Sequence, residues 1–415
     1  VGTQNIILIL AQDNIHRRRG KTIDGAKRET HQHLHRLRPV CHAQRVLIGL
    51  FPELDAPGGI QRAGRHLALL LSEFANAKHM EYRLLSLNDS QDLHRMRVGE
   101  REFVFTGAAR GKVGFTAAAL KATRRRPRLV LAAHPNLAPI VSGMKVLAPR
   151  MKSIICTHGI EVWEPLSRMR RRALQRATLV LAPSRTTADF VVSAQGVAPE
   201  RVRVLHWALD PDFETRVAEA NCKELPKDFP HGRVILTVGR WLAAERYKGM
   251  DTLIQCLPRL LLRWPDVQLA IVGSGDDRGW LENISRVSGV ERHVHFFTDL
   301  RYAQLSACYA AAEIFALPSR GEGFGFVYLE AMARGKPVIG GAHGGAPEVI
   351  RDGVTGYLVS HGDNVQLATS LDMLLSNPEQ ARQMGERGRE RVNQEFKFSI
   401  FAKNFKTILR ELCES

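Results

Sequence analysis

Two successive series of short apolar runs, separated by helix-compatible stretches, constrain this chain more than any other feature. The first series falls at residues 46–50, 128–132, 153–156, 178–182 and 202–205, and the second at 234–238, 267–272, 294–297, 314–317 and 337–339. Short continuous apolar runs read as strands buried on both faces, and their alternation with helices predicts a parallel sheet covered by helices. The chain has 415 residues, more than one hydrophobic core usually supports, so two α/β domains are expected, each doubly wound and facing the other across a cleft.

The expected boundaries follow from the same pattern. Residues 1–44, with the Arg17-Arg18-Arg19 run and no sustained period, read as an extension outside the core. The first domain is expected over 45–215, opening with the strand at 46–50, the Pro57-Gly58-Gly59 turn and a helix that carries Ala63, Leu67, Leu70, Leu71 and Phe74 on one face. The polar, proline-containing stretch 210–232 reads as a linker. The second domain is expected over 216–395, and a last helix within 396–415 is expected to pack back on the first domain.

Charge is divided unevenly between these parts. Residues 1–215 hold 34 Lys and Arg against 18 Asp and Glu, whereas the rest hold 25 against 24. A basic first half suits a polyanionic neighbour, either anionic lipid or nucleic acid. Arg124-Arg125-Arg126 and a helix bearing Arg168, Arg170, Arg171, Arg172 and Arg176 fit a peripheral membrane face, and no nucleic-acid motif accompanies them. No uninterrupted apolar run is long enough for a membrane span. The six cysteines form no C-x-x-C pair, which fits reduced thiols and a cytoplasmic chain better than disulfides, and no Cys/His cluster has the spacing of a metal site.

The segment richest in chemistry is Ser319-Arg320-Gly321-Glu322-Gly323-Phe324-Gly325-Phe326, after the apolar run 314–317 and before an expected helix that carries Glu330. Its glycines let backbone approach a ligand, and the free N–H groups of the helix start favour a phosphate. Glu322 and Glu330 supply carboxylates able to accept paired hydrogen bonds from neighbouring hydroxyls. Arg240 follows the strand at 234–238 and Lys248 stands at the next helix start, two cations suited to a diphosphate. His158 follows the strand at 153–156, where it can donate to a substrate hydroxyl or act as acid or base, and Gly59 offers a second phosphate-approach loop.

These segments together resemble the retaining glycosyltransferases of family four, the group 1 transferases, over about residues 46–410 and most strongly over 234–359. The resemblance implies the GT-B architecture of two Rossmann-like domains, the first binding the acceptor and the second a nucleotide sugar of the UDP-glucose or GDP-mannose type. It implies that Arg240 and Lys248 neutralise the donor diphosphate, that Glu322 holds hydroxyls of the transferred sugar and that Glu330 binds the ribose. Gly323, Phe324 and Gly325 would touch the donor through their backbone, with Gly59 and His158 reaching in from the acceptor side. No metal or other cofactor is required by this scheme. The acceptor would be a glycan or lipid-linked saccharide in surface polysaccharide or glycolipid synthesis, reached from the inner face of the membrane. A relative of the same architecture that phosphorolyses or epimerises is the alternative. Thr298 and Trp207-Ala208 stand where the family often has glycine and Asn-Gly.

Overall fold

The computed structural model describes residues 46–218 and 224–414, so the expected extension and part of the expected linker lie outside it. The first half runs β1 (Val46–Phe51), α1 (Gly59–Ala77), β2 (Glu81–Ser86), β3 (Leu93–Val98), β4 (Arg101–Gly107), α2 (Lys112–Thr123), β5 (Leu129–Ala132), α3 (Ala138–Leu147), β6 (Lys152–Cys156), α4 (Arg168–Gln175), β7 (Leu179–Ala182), α5 (Arg185–Ser193) and β8 (Val202–Val204). The strands lie in the order β3-β4-β2-β1-β5-β6-β7-β8, and every neighbouring pair except β3–β4 is parallel.

All six residues of β1 are buried because helices cover both sheet faces. The alternation of a strand sends Leu47 and Phe51 into one cluster with Leu67, Leu71 and Phe74 of α1. Val46, Ile48 and Leu50 go into the other, with Phe115 of α2 and Val141 and Met144 of α3. Each such burial is worth about 1.5–3 kcal/mol against exposure, which is why the apolar runs dominate the pattern.

The second half runs α6 (Pro211–Ala218), β9 (Arg233–Val238), α7 (Met250–Leu261), β10 (Val267–Val272), α8 (Arg278–Val287), β11 (Val294–Phe297), α9 (Tyr302–Ala311), β12 (Ile314–Leu317), α10 (Phe326–Ala333), β13 (Val338–Gly341), α11 (Ala346–Val349), β14 (Gly356–Val359), α12 (Asn364–Ser376), α13 (Pro378–Glu395) and α14 (Phe398–Glu414). Its sheet has the order β11-β10-β9-β12-β13-β14 and is parallel throughout. The GT-B class of two parallel-sheet α/β halves is therefore the observed one.

The expected linker at 210–232 needs correction, because it begins with α6. Asp210 accepts the backbone N–H of Asp212 at 2.9 Å ahead of Pro211, which are the start signals of a helix rather than of a loop. Phe213 is fully buried, edge-on to Tyr302 and Tyr309 of α9.

α14 follows the second sheet in sequence yet packs on α1 of the first half. Phe398 meets the His66 ring edge-on at 5.0 Å, Lys406 pairs with Glu73 at 2.7 Å, and Arg128 Nε donates to the Cys413 carbonyl at 3.1 Å. Among the described residues no helix is long and apolar enough to cross a membrane.

Candidate active site

The loops after β1 and β6 of the first half meet those after β12 and β13 of the second, and the β9 loop lies against the β12 loop, where the Tyr247 carbonyl accepts the Arg320 N–H at 2.8 Å. Ser319 Oγ accepts the Gly321 N–H at 3.1 Å, and the Glu322 carbonyl accepts the Gly345 N–H at 2.7 Å, so the loop is tied down at two points. Gly325 takes φ +95° and turns the chain into α10, whose first amides have no side-chain cap. The halves touch at two glycines: a Cβ on Gly159 would strike Gly323, and one on Gly323 would strike the His158 carbonyl. Gly59 likewise sits against the Phe326 ring, so the N-termini of α1 and α10 adjoin from opposite halves. Two positive helix ends thus share one region, a favourable setting for phosphate.

Arg240 and Lys248 both engage Glu245, a residue the sequence reading did not single out. The Arg240 guanidinium donates to one carboxylate oxygen, and Lys248 Nζ lies 2.8 Å from the other. The two cations approach one anion through a 3-10 segment, Ala243–Lys248, which ends at Gly249 with φ +74°. Arg240 is well exposed, whereas Lys248 is mostly buried. Burial pushes the Glu322 carboxyl above its ordinary range; Lys248 opposes that rise and Glu245 adds to it. Glu322 thus shares one electrostatic environment with the predicted cations.

Glu330 lies on the same helix start but in a different setting. It is 1% exposed and accepts hydrogen bonds from the Tyr309 hydroxyl at 2.7 Å and from Arg62 Nη1 of α1. Arg62 Nε is also 3.7 Å from Asp210, whose carboxylate lies 3.4 Å from His66 Nε2. The sequence reading had Glu322 and Glu330 both open to one ligand; in this conformation Glu330 is instead covered by a guanidinium from the other half. Arg62 stands three positions after Gly59, one turn into α1, a placement that could have marked it.

His158 is fixed by its surroundings. Its Nε2 lies 2.6 Å from the Ala133 carbonyl, which can only accept, so Nε2 carries the proton and Nδ1 the lone pair. The ring stacks between His134 at 5.7 Å and Trp207 at 5.6 Å, and its backbone N–H donates to Glu161. Burial lowers its pKa and keeps it neutral, against Glu161 and the Ala133 carbonyl, which favour the proton. Phe324 is buried against His206 and Phe396, which leaves its backbone as the part that can meet a ligand.

Residues 225–391 match the family described as Glycosyl transferases group 1, and residues 63–213 match Glycosyltransferase Family 4. A GDP-mannose-dependent alpha-(1-6)-phosphatidylinositol monomannoside mannosyltransferase of Mycobacterium tuberculosis is 32% identical over 64% of this chain and 73% of its own length. The chain belongs to the group 1 glycosyltransferases. The mannosyltransferase of the same description from Mycolicibacterium smegmatis is 37% identical over 57% of this chain and 64% of its own length, so the match spans less than two thirds of that protein. Among solved structures, sucrose-phosphate synthase from Thermosynechococcus elongatus superposes on this group 1 chain with a TM-score of 0.70 at 22% identity, covering 89% of this chain and 99% of that one. HepE of Anabaena in complex with UDP gives 0.67 at 19% identity, covering 88% and 100%. At these identities the structural likeness speaks for the fold alone.

Proposed function

We propose that the chain transfers a hexosyl unit from a nucleotide sugar to a lipid-linked acceptor, with retention of the anomeric configuration. The observation that carries this reading is the meeting of Arg240, Lys248 and Glu322 with the α10 N-terminus, opposite Gly59 and His158. The donor diphosphate lies over Arg240, Lys248 and the free amides of α10, Glu322 accepts hydroxyls of the transferred sugar, and Glu330 takes the ribose. As the bond from the anomeric carbon to the phosphate oxygen breaks, its electron pair goes to the leaving diphosphate. The fixed cations and amides stabilise that charge without reorganising. The acceptor oxygen forms the new bond on the same face and passes its proton to the departing phosphate, while His158 orients a hydroxyl.

The names of the mycobacterial relatives support GDP-mannose as the first donor to test and a phosphatidylinositol glycoside as the first acceptor. A membrane face is supported by α3 and α4, which pack together. They expose Val146, Leu147 and Met169 beside Arg168 and Arg172, and apolar side chains among cations suit the boundary of an anionic bilayer.

The reading is tested by incubating the protein with GDP-mannose or UDP-glucose and a phosphatidylinositol mannoside, and assigning the product linkage by NMR. An α-linked product from an α-linked donor is expected. A β linkage overturns retention, and turnover of neither donor overturns the donor and acceptor assignment. Sedimentation with vesicles that contain phosphatidylinositol should exceed that with neutral vesicles and fall with salt; equal binding to both rejects the membrane face.

A further inference from the structure

Each oxygen of the carboxylate assigned to the ribose already has a partner. Tyr309 donates to Glu330 Oε2 and Arg62 to Oε1, and at 1% exposure the group offers a nucleotide almost no surface. Arg62 comes from the half across the cleft, with its guanidinium carbon 5.2 Å from the centroid of Phe326, the first residue of α10. Glu330 is therefore covered from the side of the first half. A ribose that pairs with this carboxylate competes with the guanidinium for Oε1.

A place for the displaced cation exists beside it. Asp210 Oδ2 is 3.7 Å from Arg62 Nε, outside hydrogen-bond length but within reach of a small side-chain rotation. Against the upward push of burial, His66 and Arg62 hold the Asp210 carboxyl down to about 2, so it is an anion ready to receive the guanidinium. Leaving a buried arginine without a partner would cost several kcal/mol. Moving it between two carboxylates avoids that cost.

We infer that Arg62 is an intramolecular competitor for the donor's ribose: its guanidinium occupies Glu330 in this conformation and shifts to Asp210 when the two ribose hydroxyls take the carboxylate. The inference rests on the ribose role proposed for Glu330. Because Arg62 lies on α1 just after Gly59, the shift exchanges its contact with α10 for one at the start of α6, so donor arrival is felt on the acceptor side. A ligand moves such an equilibrium only by binding one arrangement better than the other, and here the ribose hydroxyls supply that difference.

The test compares GDP and UDP with their 2′,3′-dideoxy forms by titration calorimetry on the native chain, Arg62→Met, Arg62→Lys and Glu330→Gln. The ratio of the dideoxy Kd to the ribose Kd reports what the hydroxyls contribute. It is expected to exceed one in the native chain and to fall to about one in Glu330→Gln. In Arg62→Met it should rise by about tenfold or more, the scale of one released hydrogen bond to a charged group. Arg62→Lys should lie between native and Arg62→Met, and it carries the comparison by itself if the methionine variant fails to fold. A ratio that drops in Glu330→Gln but does not rise in the Arg62 variants overturns the competitor role and leaves the ribose reading standing. A ratio equal in all four proteins, or no binding of either nucleotide, overturns the ribose reading and the competitor role with it.

Discussion

Glu348, on α11 of the second half, accepts the backbone N–H of Arg185 at 2.5 Å and so caps α5 of the first half. The same carboxylate takes the His206 Nε2 at 2.9 Å, and Thr186 Oγ1 donates to the Gly344 carbonyl at 2.9 Å. A helix cap supplied from across the cleft joins local helix stability to closure. Glu348→Ala should lower stability by about 0.5–2 kcal/mol, as for other lost caps, and raise the KM for donor. Thermal unfolding and initial-rate kinetics check this; an unchanged KM would confine Glu348 to a structural role.

Glu245 stands against both predicted diphosphate cations, so an arriving diphosphate has to compete with it. Glu245→Gln should tighten GDP binding at low salt by roughly fivefold, equivalent to about 1 kcal/mol for one partly exposed ion pair. The gain should shrink as salt is added. Calorimetric titration at two ionic strengths distinguishes this from weaker binding, which would mean that Glu245 positions the cations for the phosphates.

Loss of a fixed charge that stabilises the leaving group or holds the transferred sugar should slow chemistry more than it weakens binding. Lys248→Ala and Glu322→Ala are each expected to reduce kcat by about 10²–10³, the range for removing one preorganised stabilising group. Steady-state kinetics with a radiolabelled donor measures it. A near-native kcat in either variant removes that residue from the site.

His134 and His158 give the fold an acid-sensitive pair. His134 Nδ1 accepts the Asn136 N–H at 3.1 Å, a role open only to the neutral ring, and burial with the nearby His158 lowers its pKa to about 3. Both rings are protonated more readily in the unfolded chain, where the ordinary value is about 6.5. Their contribution is therefore complete above about pH 6.5 and is lost as pH falls toward the depressed folded values. His134→Asn should flatten the dependence of stability on pH between about 6 and 4 by up to about 1.4 kcal/mol per pH unit. Denaturant midpoints for the two proteins should converge on acidification; parallel curves reject the assignment.

The buried strands were readable because parallel strands covered on both faces leave continuous apolar runs, as at β1, β10 and β12. The edge hairpin β3–β4 was not. Leu93–Val98 mixes exposed and half-buried positions, and its Leu-His-Arg-Met-Arg-Val order carries no core signal. The candidate site was legible where glycine marks a close approach, as at Gly59 and Gly323, and where a charge follows a strand, as at Arg240. Arg62 was hidden because it acts on its partner through a fold contact, reaching Glu330 across 268 positions; Glu245 was hidden because a carboxylate a few positions from two cations reads as an ordinary local ion pair.

The seating of α14 on α1 bears on the order in which this protein assembles. The β9–β14 sheet is built from one continuous stretch of chain, whereas α1 gains Phe398 and Lys406 as neighbours only after more than 300 further residues have been synthesised. Domains commonly fold in turn from the N-terminal side during synthesis. Here part of the α1 surface stays uncovered until α14 has emerged, so the earlier-made half completes its packing last.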